Sequence, residues 1–536
     1  MRKEALHMPP QHVLPASLSL REHLPTAQLI GAGDLHFADI TLDSRECRPR
    51  SLFVAAQGNA GCGQNFVADA AARGAVGVIT AQLIPNCPLP QCIVANPRGA
   101  YSYLCQALFG HPYARLKMMG VTGTNGKTTV TWMTRAIMTR AGHRIGVLGT
   151  VEYFDGYRAE PPSLTTPDAK LLAHWQHRMV TRGTSHLAME LSSHALDQHR
   201  AAALPLDCAI VTNITHDHLD YHGDFASYRA AKARILDLVK PGGVVALHVG
   251  DAGASSLVGL VPPECRLIRY GITSDADLSA QILEESMAGT VFRVQFQGQS
   301  VNLRIRLIGR HNVENALAAM ATGLTWKIPL LEMAMALEEF RPVPGRMERC
   351  AWSEAFDVFV DYAHTPDALS RSLASLRGLS SGRLICVFGA GGDRDPSKRP
   401  LLGQAAGNAD LAIITSDNPR SEDPAMIAGQ IAQGLPAGRV EMIMELDRAL
   451  AIQRAIDAAQ PGDVVLIAGK GHETEQIVRG ERRPFDDRRV VLDYLESRRV
   501  ATSINPLSTP PLPMIQTTMV PNQALAPVET FQRVSA

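Results

Sequence analysis

Residues 121–130 read VTGTNGKTTV, a glycine-containing turn that follows an apolar stretch and ends in Lys127-Thr128-Thr129. The stretch resembles the phosphate-binding pattern G-x-x-x-x-G-K-[ST], although Val121 stands where that pattern has its first glycine. Between a predicted strand and a predicted helix, its backbone N–H groups would meet phosphate oxygens. Lys127 would add a positive charge, and a threonine hydroxyl could bind Mg²⁺. The alternative is an ordinary glycine-rich turn with an incidental lysine.

The size and composition of the chain exclude several classes of protein. Its 536 residues are too many for one hydrophobic core and predict about three domains. Lys and Arg balance Asp and Glu at 52 each, so a binder of nucleic acid or of anionic membrane is not expected. The 9 scattered cysteines contain no C-x-x-C pair, which favours reduced thiols. The N-terminus makes a poor signal peptide and no long apolar run occurs, so we expect a soluble cytoplasmic protein without a membrane span.

Strand-like and helix-like segments alternate along most of the chain, which predicts an α/β fold with mostly parallel sheets. We expect an N-terminal extension over 1–20 and α/β units over 21–112, 113–343 and 344–500. The stretch FRPVPGRME (340–348) is predicted to be the hinge between the second and third units. The segment 501–536 is rich in Pro, Thr and Gln and is predicted to be a disordered tail.

Polar residues follow several predicted strands, at the sheet edge where open parallel sheets bind ligands. Glu190 follows the apolar HLAM and suits a Mg²⁺ that bridges phosphates, although a solvated strand end is the commoner explanation. The loop NITHDHLDYHGD contains His216, His218 and His222 and can be a metal site or a polar loop. Lys232, in YRAAKARIL, has no role that the pattern alone would assign.

Three glycine-containing polar loops follow predicted strands in the third unit. GAGGDRDPSKRP carries Arg394, TSDNPRSEDP carries Asp417 and Arg420, and AGKGHETEQ carries Glu473. Arginine suits a bidentate grip on a carboxylate. Each loop alone could be a surface turn, but three in corresponding positions predict a shared cleft.

Taken together, these motifs resemble the Mur ligase family from about residue 42 to about residue 495. The resemblance rests on GTNGKTT, SLTTPDA, MELSSHALDQHR, TNITHDHLDYHG, YRAAKARIL, GRHNVENALAA, VPGRME, DYAHTPDAL, GAGGDRDPSKRP, SDNPR and AGKGHE. It implies a uridine-nucleotide-binding domain over 21–112, a central P-loop ATPase domain over 113–343 and a C-terminal Rossmann-like amino-acid-binding domain over 344–500. One departure is Cys62 in GNAGCGQNF, where the family usually has an aspartate.

The resemblance also implies ATP-driven amide formation in bacterial cell-wall synthesis. The D-glutamate side-chain carboxylate of UDP-MurNAc-L-Ala-D-Glu would attack the γ-phosphate, and an amine of meso-diaminopimelate would displace phosphate from the resulting acyl phosphate. The expected partners are therefore ATP, Mg²⁺ and these two substrates, and the expected state is a monomer. The alternatives are L-lysine as the amino acid, a folylpolyglutamate synthase-like ligase, and a non-catalytic nucleotide-binding protein.

Matching the motifs residue by residue gives the site that the resemblance implies. The ATP site would contain Gly123, Thr124, Asn125, Gly126, Lys127, Thr128, Thr129, Asn312, Arg346 and Asp361. The Mg²⁺ ligands would be Thr128, Glu190, His218 and a carbamylated Lys232, and the catalytic set would be Lys127, Glu190, His218 and Lys232. The UDP-MurNAc-dipeptide would contact Ser44, Thr165, Thr166, Ser192, Gln198 and Arg200. The amino acid would contact Arg394, Asp417, Asn418, Pro419, Arg420, Gly469 and Glu473.

The quartet DNPR (417–420) is the family's discriminator in favour of meso-diaminopimelate over lysine. Diaminopimelate carries a second carboxylate, with which Arg420 could pair. The lysine side chain ends in an ammonium group that Arg420 would repel. The resemblance therefore favours diaminopimelate.

Overall fold

The computed structural model describes residues 17–58, 61–273, 275–351 and 355–504, and it has the predicted α/β class. Three large sheets follow one another along the chain. The predicted tail lies outside the described residues from 505 onward, and the last helix continues to Ile504. Within the described ranges, no helix combines the length and the apolar character needed to cross a membrane.

The first segment contains a five-stranded sheet and three helices. Its strands are β1 (Leu18–Ser19), β2 (Gln28–Ile30), β3 (His36–Phe37), β4 (Asp39–Thr41), β5 (Ser51–Val54), β6 (Gln57–Gly58), β7 (Gly61–Cys62), β8 (Gly77–Thr80) and β9 (Gln91–Ile93). Its helices are α1 (Leu20–His23), α2 (Val67–Ala72) and α3 (Pro97–Leu108). The sheet order is β2-β9-β8-β5-β4, and β1 pairs with β3. Among the described residues, the first strand begins at Leu18, inside the segment predicted to be an extension.

The central segment contains an eleven-stranded sheet. Its strands are β10 (Lys117–Thr122), β11 (Ile145–Leu148), β12 (Tyr153–Phe154), β13 (Ala159–Glu160), β14 (His186–Glu190), β15 (Leu206–Val211), β16 (Val239–His248), β17 (Arg266–Gly271), β18 (Leu278–Ser286), β19 (Gly289–Phe296) and β20 (Gln299–Ile305). Its helices are α4 (Lys127–Arg140), α5 (Ala169–Thr181), α6 (Ser193–Asp197), α7 (Leu219–His222), α8 (Phe225–Ala233), α9 (Ala252–Ser255), α10 (Arg310–Thr325) and α11 (Leu330–Glu339).

The order of this sheet is β13-β12-β11-β14-β10-β15-β16-β17-β18-β19-β20. In this sheet order, β11, β14, β10, β15, β16, β17 and β18 run parallel to one another, as the alternating pattern predicted. The antiparallel strands β19 and β20 extend it and were not predicted. Their signal was available, because TVFRVQF (290–296) alternates apolar and polar residues in the manner of a half-buried strand.

Successive residues of β10 pack into two different cores on opposite faces of the central sheet. Met119 and Val121 belong to the cluster that contains Met133 of α4, whereas Met118 belongs to the cluster that contains Leu172 of α5. A strand covered by helices on both faces reads as a continuous apolar run, which is how KMMGVT appears in the sequence. This burial fixes the strand end from which the glycine turn projects.

The third segment contains a six-stranded sheet in the order β21-β22-β26-β23-β24-β25. Its strands, with a separate hairpin of the last two, are β21 (Glu348–Ala351), β22 (Asp357–Asp361), β23 (Leu384–Phe388), β24 (Leu411–Ile414), β25 (Glu441–Met444), β26 (Val464–Ala468), β27 (Glu475–Val478) and β28 (Glu481–Pro484). Its helices are α12 (Pro366–Arg377), α13 (Lys398–Ala405), α14 (Pro424–Ala432), α15 (Arg448–Ala458) and α16 (Asp487–Ile504). All strands except the edge strand β21 are parallel to their neighbours in the sheet.

A buried ion pair joins α15 to the start of α16 and to the end of β26. The side chains of Arg448 and Asp487 are both fully buried, and Arg448 Nη2 lies 2.7 Å from Asp487 Oδ2. The same nitrogen donates to Ala468 O at 3.0 Å. Because Asp487 is the direct ion-pair partner of Arg448, the loss of one of the two leaves an unpaired charge in the interior.

We therefore expect Arg448→Met to lower the free energy of unfolding by about 3–5 kcal/mol. The control is Arg454→Met on the same helix, whose pair with Glu445 is half-exposed on the arginine side and should contribute about 1 kcal/mol or less. Urea unfolding followed by circular dichroism measures both. Equal losses in the two variants would contradict the expectation.

Candidate active site

A cavity of about 490 Å³ lies between the central and third segments. It brings together the phosphate-loop candidate and the three polar loops of the third segment, which were predicted to share a cleft with one another. The predicted site residues that line it are Thr124, Asn125, Gly126, Lys127, Thr128, Thr129, Thr165, Glu190, Ser192, His218, Asn312, Arg346, Asp361, Arg394, Asp417, Asn418, Arg420, Gly469 and Glu473. The predicted residues that do not line it are Ser44, Gly123, Thr166, Gln198, Arg200, Lys232 and Pro419.

The glycine turn adopts backbone conformations that only glycine accepts easily. Gly123 has a φ of 152°, and a Cβ there would lie 1.9 Å from Thr212 Oγ1. Gly126 has a φ of 87° immediately before α4, and a Cβ there would lie 2.3 Å from Asn315 Oδ1. Both glycines are therefore required by the shape of the loop. The N-terminus of α4 opens into the cavity as a ready anion site.

Two lysines converge on the carbonyl of Gly123. Lys127 Nζ donates to it at 2.8 Å and Lys232 Nζ donates to it at 2.7 Å. Burial, and then the charge of Lys127, lower the pKa of Lys232 well below its usual value. Burial also lowers the pKa of Lys127, while Glu190 opposes that effect. Burial thus makes the charged form of Lys232 less favourable than it would be in water.

Glu190 ends β14 and is held in one orientation by the residue that follows Gly149. Its Oε1 accepts from Thr150 N at 2.8 Å and its Oε2 accepts from Thr150 Oγ1 at 3.0 Å. A Cβ at Gly149 would lie 2.3 Å from Glu190 Oε1, so the close approach requires glycine. The carboxylate is almost completely buried yet lines the cavity, which leaves it available to a cation there.

The residues predicted to hold the muramoyl peptide form one hydrogen-bonded network beside Glu190. Thr166 Oγ1 donates to Glu190 O at 2.8 Å and accepts from Ser192 N at 3.0 Å. Arg200 donates through Nη1 to Thr166 O at 2.9 Å and through Nη2 to Gln198 Oε1 at 2.7 Å. Ser44 lies apart from this network, as a buried residue of the first segment.

His218 sits in a left-handed backbone conformation, with a φ of 53°, immediately before α7. Its Nε2 lies 3.3 Å from Asp217 Oδ2. Desolvation in the cleft lowers the pKa of His218, against the opposing charge of Asp217. Asp217 in turn accepts from Lys398 Nζ of α13 at 2.7 Å, so this loop is tied to the third segment.

The donor set suits a cation that also binds phosphate. Among the described residues, no three His, Cys, Asp or Glu side chains are grouped so as to hold a metal on their own. Mg²⁺ in phosphoryl-transfer sites is usually bound by one or two carboxylates together with the substrate phosphates and water. The lone oriented carboxylate of Glu190, beside the N-terminus of α4, fits that mode of binding.

Two further contacts join the phosphate loop to the third segment. Arg346 Nη2 donates to Thr128 Oγ1 at 3.2 Å, and its guanidinium lies 4.3 Å from the centre of the Tyr362 ring. Asn125 Nδ2 donates to Asp367 Oδ2 at 2.9 Å. The third segment therefore covers the loop directly, and Arg346 of the predicted hinge reaches the end of the loop.

The remaining residues predicted to contact nucleotide are held by their own segments. Asp361 is anchored by Met347 N at 3.1 Å and by Ser372 Oγ at 2.6 Å. Asn312 Nδ2 donates to Ile308 O at 2.8 Å. Both side chains are buried at the wall of the cavity, so their direction is set before any ligand binds.

Charges of both signs line the part of the cavity that belongs to the third sheet. Burial, and then the charge of Arg394, lower the pKa of Arg420, while Asp417 and Glu473 raise it. Asp417 Oδ2 is buried and has no hydrogen-bond partner among the described residues. Gly469 has a φ of 113°, and a Cβ there would lie 2.5 Å from that oxygen. A ligand that carries both an ammonium group and a carboxylate matches this arrangement.

Sequence reasoning missed several residues that shape the site. Thr150 orients Glu190, Asp367 holds Asn125, and Lys398 holds Asp217. Lys470, within AGKGHE, is fully buried between two of the site loops. The signal for Lys398 and Lys470 was their position in the same loops as predicted site residues. Asp367 had the same signal, because it lies in DYAHTPDAL with Asp361, whereas Thr150 had none.

Comparisons with known proteins match most of the chain. The model of the Mur ligase middle domain matches residues 121–323, and that of the Mur ligase glutamate ligase domain matches residues 345–471. A relative from Geobacillus kaustophilus (strain HTA426), named UDP-N-acetylmuramoyl-L-alanyl-D-glutamate--2,6-diaminopimelate ligase, is 39% identical over 489 residues, which cover 90% of this chain and 99% of the relative.

Two solved structures are similar to this one. A structure of UDP-N-acetylmuramoyl-L-alanyl-D-glutamate--2,6-diaminopimelate ligase has a TM-score of 0.63 and 31% identity, with 90% of this chain and 99% of that chain covered. The MurF ligase from Thermotoga maritima in complex with ADP has a TM-score of 0.56 and 17% identity, with 86% and 98% covered, and it shares the fold. The family models, the extent of the match and a cleft lined by the family's motif residues together show that the chain belongs to the Mur ligase family.

Proposed function

We propose that the protein is an ATP-dependent amide ligase that adds meso-diaminopimelate to UDP-MurNAc-L-Ala-D-Glu in peptidoglycan precursor synthesis. The observation that carries the proposal is the single cavity that joins the phosphate loop to the Arg394, Arg420 and Glu473 loops. A ligation that activates one acid with ATP and then admits an amine needs both sites side by side. The names of the relatives support the same reaction.

ATP is the activating substrate in this proposal. The N-terminus of α4 and the 123–129 loop would receive its phosphates, and Lys127 would add charge beside them. Asn312, Arg346 and Asp361 would contact the rest of the nucleotide. The D-glutamate side-chain carboxylate would attack the γ-phosphate, and the amine would then attack the acyl phosphate and release inorganic phosphate.

Thr128, Glu190, His218 and Lys232 would hold Mg²⁺. The ion would neutralise phosphate charge and orient the transferred group. The buried carboxylate of Glu190, fixed by two hydrogen bonds from Thr150, supports this role. The burial of Lys232 and its lowered pKa support a carbamate, because a neutral amine is the form that adds to CO₂.

The muramoyl dipeptide would lie along the Thr165, Thr166, Ser192 and Arg200 network beside Glu190, with Gln198 behind Arg200 and Ser44 at the uridine end. In the third segment, Asp417 and Glu473 would meet an ammonium group of the amino acid, and Arg394 and Arg420 would meet a carboxylate. The domain boundaries at 21–112, 113–343 and 344–500 fit these three ligands. A monomer contains every residue that the proposal uses.

A substrate panel tests the proposal. Purified protein is given ATP, Mg²⁺ and UDP-MurNAc-L-Ala-D-Glu with either meso-diaminopimelate or L-lysine, and phosphate release and the extended nucleotide-peptide are both measured. We expect both products with diaminopimelate and little with lysine. Preference for lysine would favour that alternative amino acid, and activity with a folate would favour a folylpolyglutamate synthase-like ligase. No turnover with any substrate would favour a non-catalytic nucleotide-binding protein.

The role of Lys232 predicts a variant that can be rescued. Lys232→Ala should abolish ligation, because it removes the group that becomes a carbamate. Short-chain carboxylic acids should restore part of the activity by supplying a carboxylate in the same place. Lys240→Ala is the control, since Lys240 pairs with Asp207 and does not line the cavity. Full activity of Lys232→Ala without added acid would refute the metal role.

The role of Arg420 predicts an effect limited to the amino acid. Arg420→Lys should raise KM for meso-diaminopimelate by about tenfold, because a lysine cannot make the paired N–H bonds of a guanidinium. KM for ATP should stay the same. Steady-state kinetics with each substrate varied in turn measures both, with the exposed Arg439→Lys as control. Equal changes in the two constants would count against a specificity role.

A further inference from the structure

Lys470 is a fully buried lysine that lies between two loops of the amino-acid site and has no part in the reaction proposed above. It belongs to AGKGHE, directly after β26. A buried ammonium group must find acceptors within the protein, because the loss of its hydration is otherwise uncompensated. The partners of this side chain therefore indicate what it is for.

Three acceptors surround the ammonium group. Lys470 Nζ donates to Asn418 Oδ1 at 3.2 Å, to Glu473 Oε2 at 3.0 Å and to Glu475 O at 2.7 Å. An ammonium group has three N–H donors, so every donor has a partner. One side chain thus connects the DNPR quartet, the AGKGHE loop and the first residue of β27.

The contacts of Asn418 reinforce the same arrangement. Its Nδ2 donates to Glu473 Oε2 at 2.8 Å, and its Oδ1 accepts from Ile477 N at 2.9 Å as well as from Lys470. The Asn418 side chain therefore organises neighbouring groups of the protein. One N–H of its Nδ2 has no hydrogen-bond partner among the described residues, and Asn418 lines the cavity.

One carboxylate oxygen of Glu473 accepts hydrogen bonds from the protein, and the other is available to a ligand. Lys470 and Asn418 both bind Oε2, while Oε1 has no hydrogen bond to any residue that the structure describes. Glu473 lines the cavity and its side chain is 32% exposed. The anchored oxygen fixes the carboxylate, and the other oxygen can receive a ligand's ammonium group.

The hairpin of β27 and β28 holds the DNPR quartet from the other side. Arg420 N donates to Ile477 O at 3.0 Å, and Arg479 N donates to Arg420 O at 2.6 Å. Gln476 Nε2 donates to Asp417 O at 2.9 Å. The backbone of the quartet is therefore pinned to the hairpin, and the hairpin begins at the carbonyl that Lys470 binds.

We propose that Lys470 is a positioning residue for the amino-acid substrate. It holds Glu473 so that Oε1 faces an ammonium group of a diamino acid, and it holds Asn418 so that Arg420 faces a carboxylate. The inference rests on the proposed ligase activity. Lys470 does not contact the substrate. It positions the groups that recognise the ammonium and carboxylate groups of the amino acid.

Lys470→Met tests the inference, because methionine has a similar length and no charge. We expect KM for meso-diaminopimelate to rise by about tenfold, since Glu473 and Asn418 each lose a charged hydrogen-bond partner. KM for ATP and for UDP-MurNAc-L-Ala-D-Glu should remain within about twofold of the wild type. A purely structural role would instead lower the thermal midpoint and shift all three constants. Lys240→Met is the matched control.

A double-mutant cycle with Glu473→Gln separates action through Glu473 from an independent effect. In the Glu473→Gln background, Lys470→Met should raise KM for the amino acid by clearly less than the roughly tenfold expected in the wild type, because the charge of Glu473 is already removed while the contact with Asn418 remains. The inference would be overturned if the effects of the two substitutions on KM for the amino acid simply multiplied. It would also be overturned if folded Lys470→Met kept that KM unchanged. If Lys470→Met does not fold, Lys470→Gln is measured in its place, and failure of both to fold assigns Lys470 to stability alone. An inactive wild type would count against the proposed function instead.

Discussion

The carbonyl of Gly123 is the point on which the site depends. It accepts the ammonium groups of both Lys127 and Lys232, and its own backbone conformation excludes any side chain. The carbonyl thereby links the end of β10, the start of α4 and helix α8. Burial, and then the charge of Lys127 at the same acceptor, lower the pKa of Lys232. The phosphate-loop candidate thus also shapes the environment of the lysine behind it.

Sequence patterns predicted the parts of the molecule that follow from local rules. Parallel strands appeared as apolar runs, and glycine turns with polar residues marked their carboxyl ends. Those rules predicted a shared cleft for the loops of Arg394, Arg420 and Glu473, and all three residues line one cavity. They were not applied to β19 and β20, whose alternating pattern is the signal of a different kind of sheet. The roles of the site residues remain predictions that rest on the resemblance.

The sequence patterns did not predict contacts between residues that lie far apart in the chain. Thr128 is 218 positions from Arg346, Asn125 is 242 positions from Asp367, and Asp217 is 181 positions from Lys398. Each is a single hydrogen bond whose existence depends on how the central and third segments pack. No periodicity or turn signal encodes such a distance. Sequence can place each residue in a loop or in the first turn of a helix, and only the structure can show which two meet.

Selectivity for an amino acid depends on where the cavity places its charged side chains. Burial, and then the charge of Arg394, lower the pKa of Arg420, whereas the charges of Asp417 and Glu473 raise it. Arg420 Nη1 binds Gly392 O at 2.6 Å, so the guanidinium has a fixed position and spare donors. A bound carboxylate would relieve the repulsion between the arginines, whereas an ammonium group would increase it. Under the proposed function, a pocket built in this way would reject lysine through its own unsatisfied charge and would not need a steric barrier.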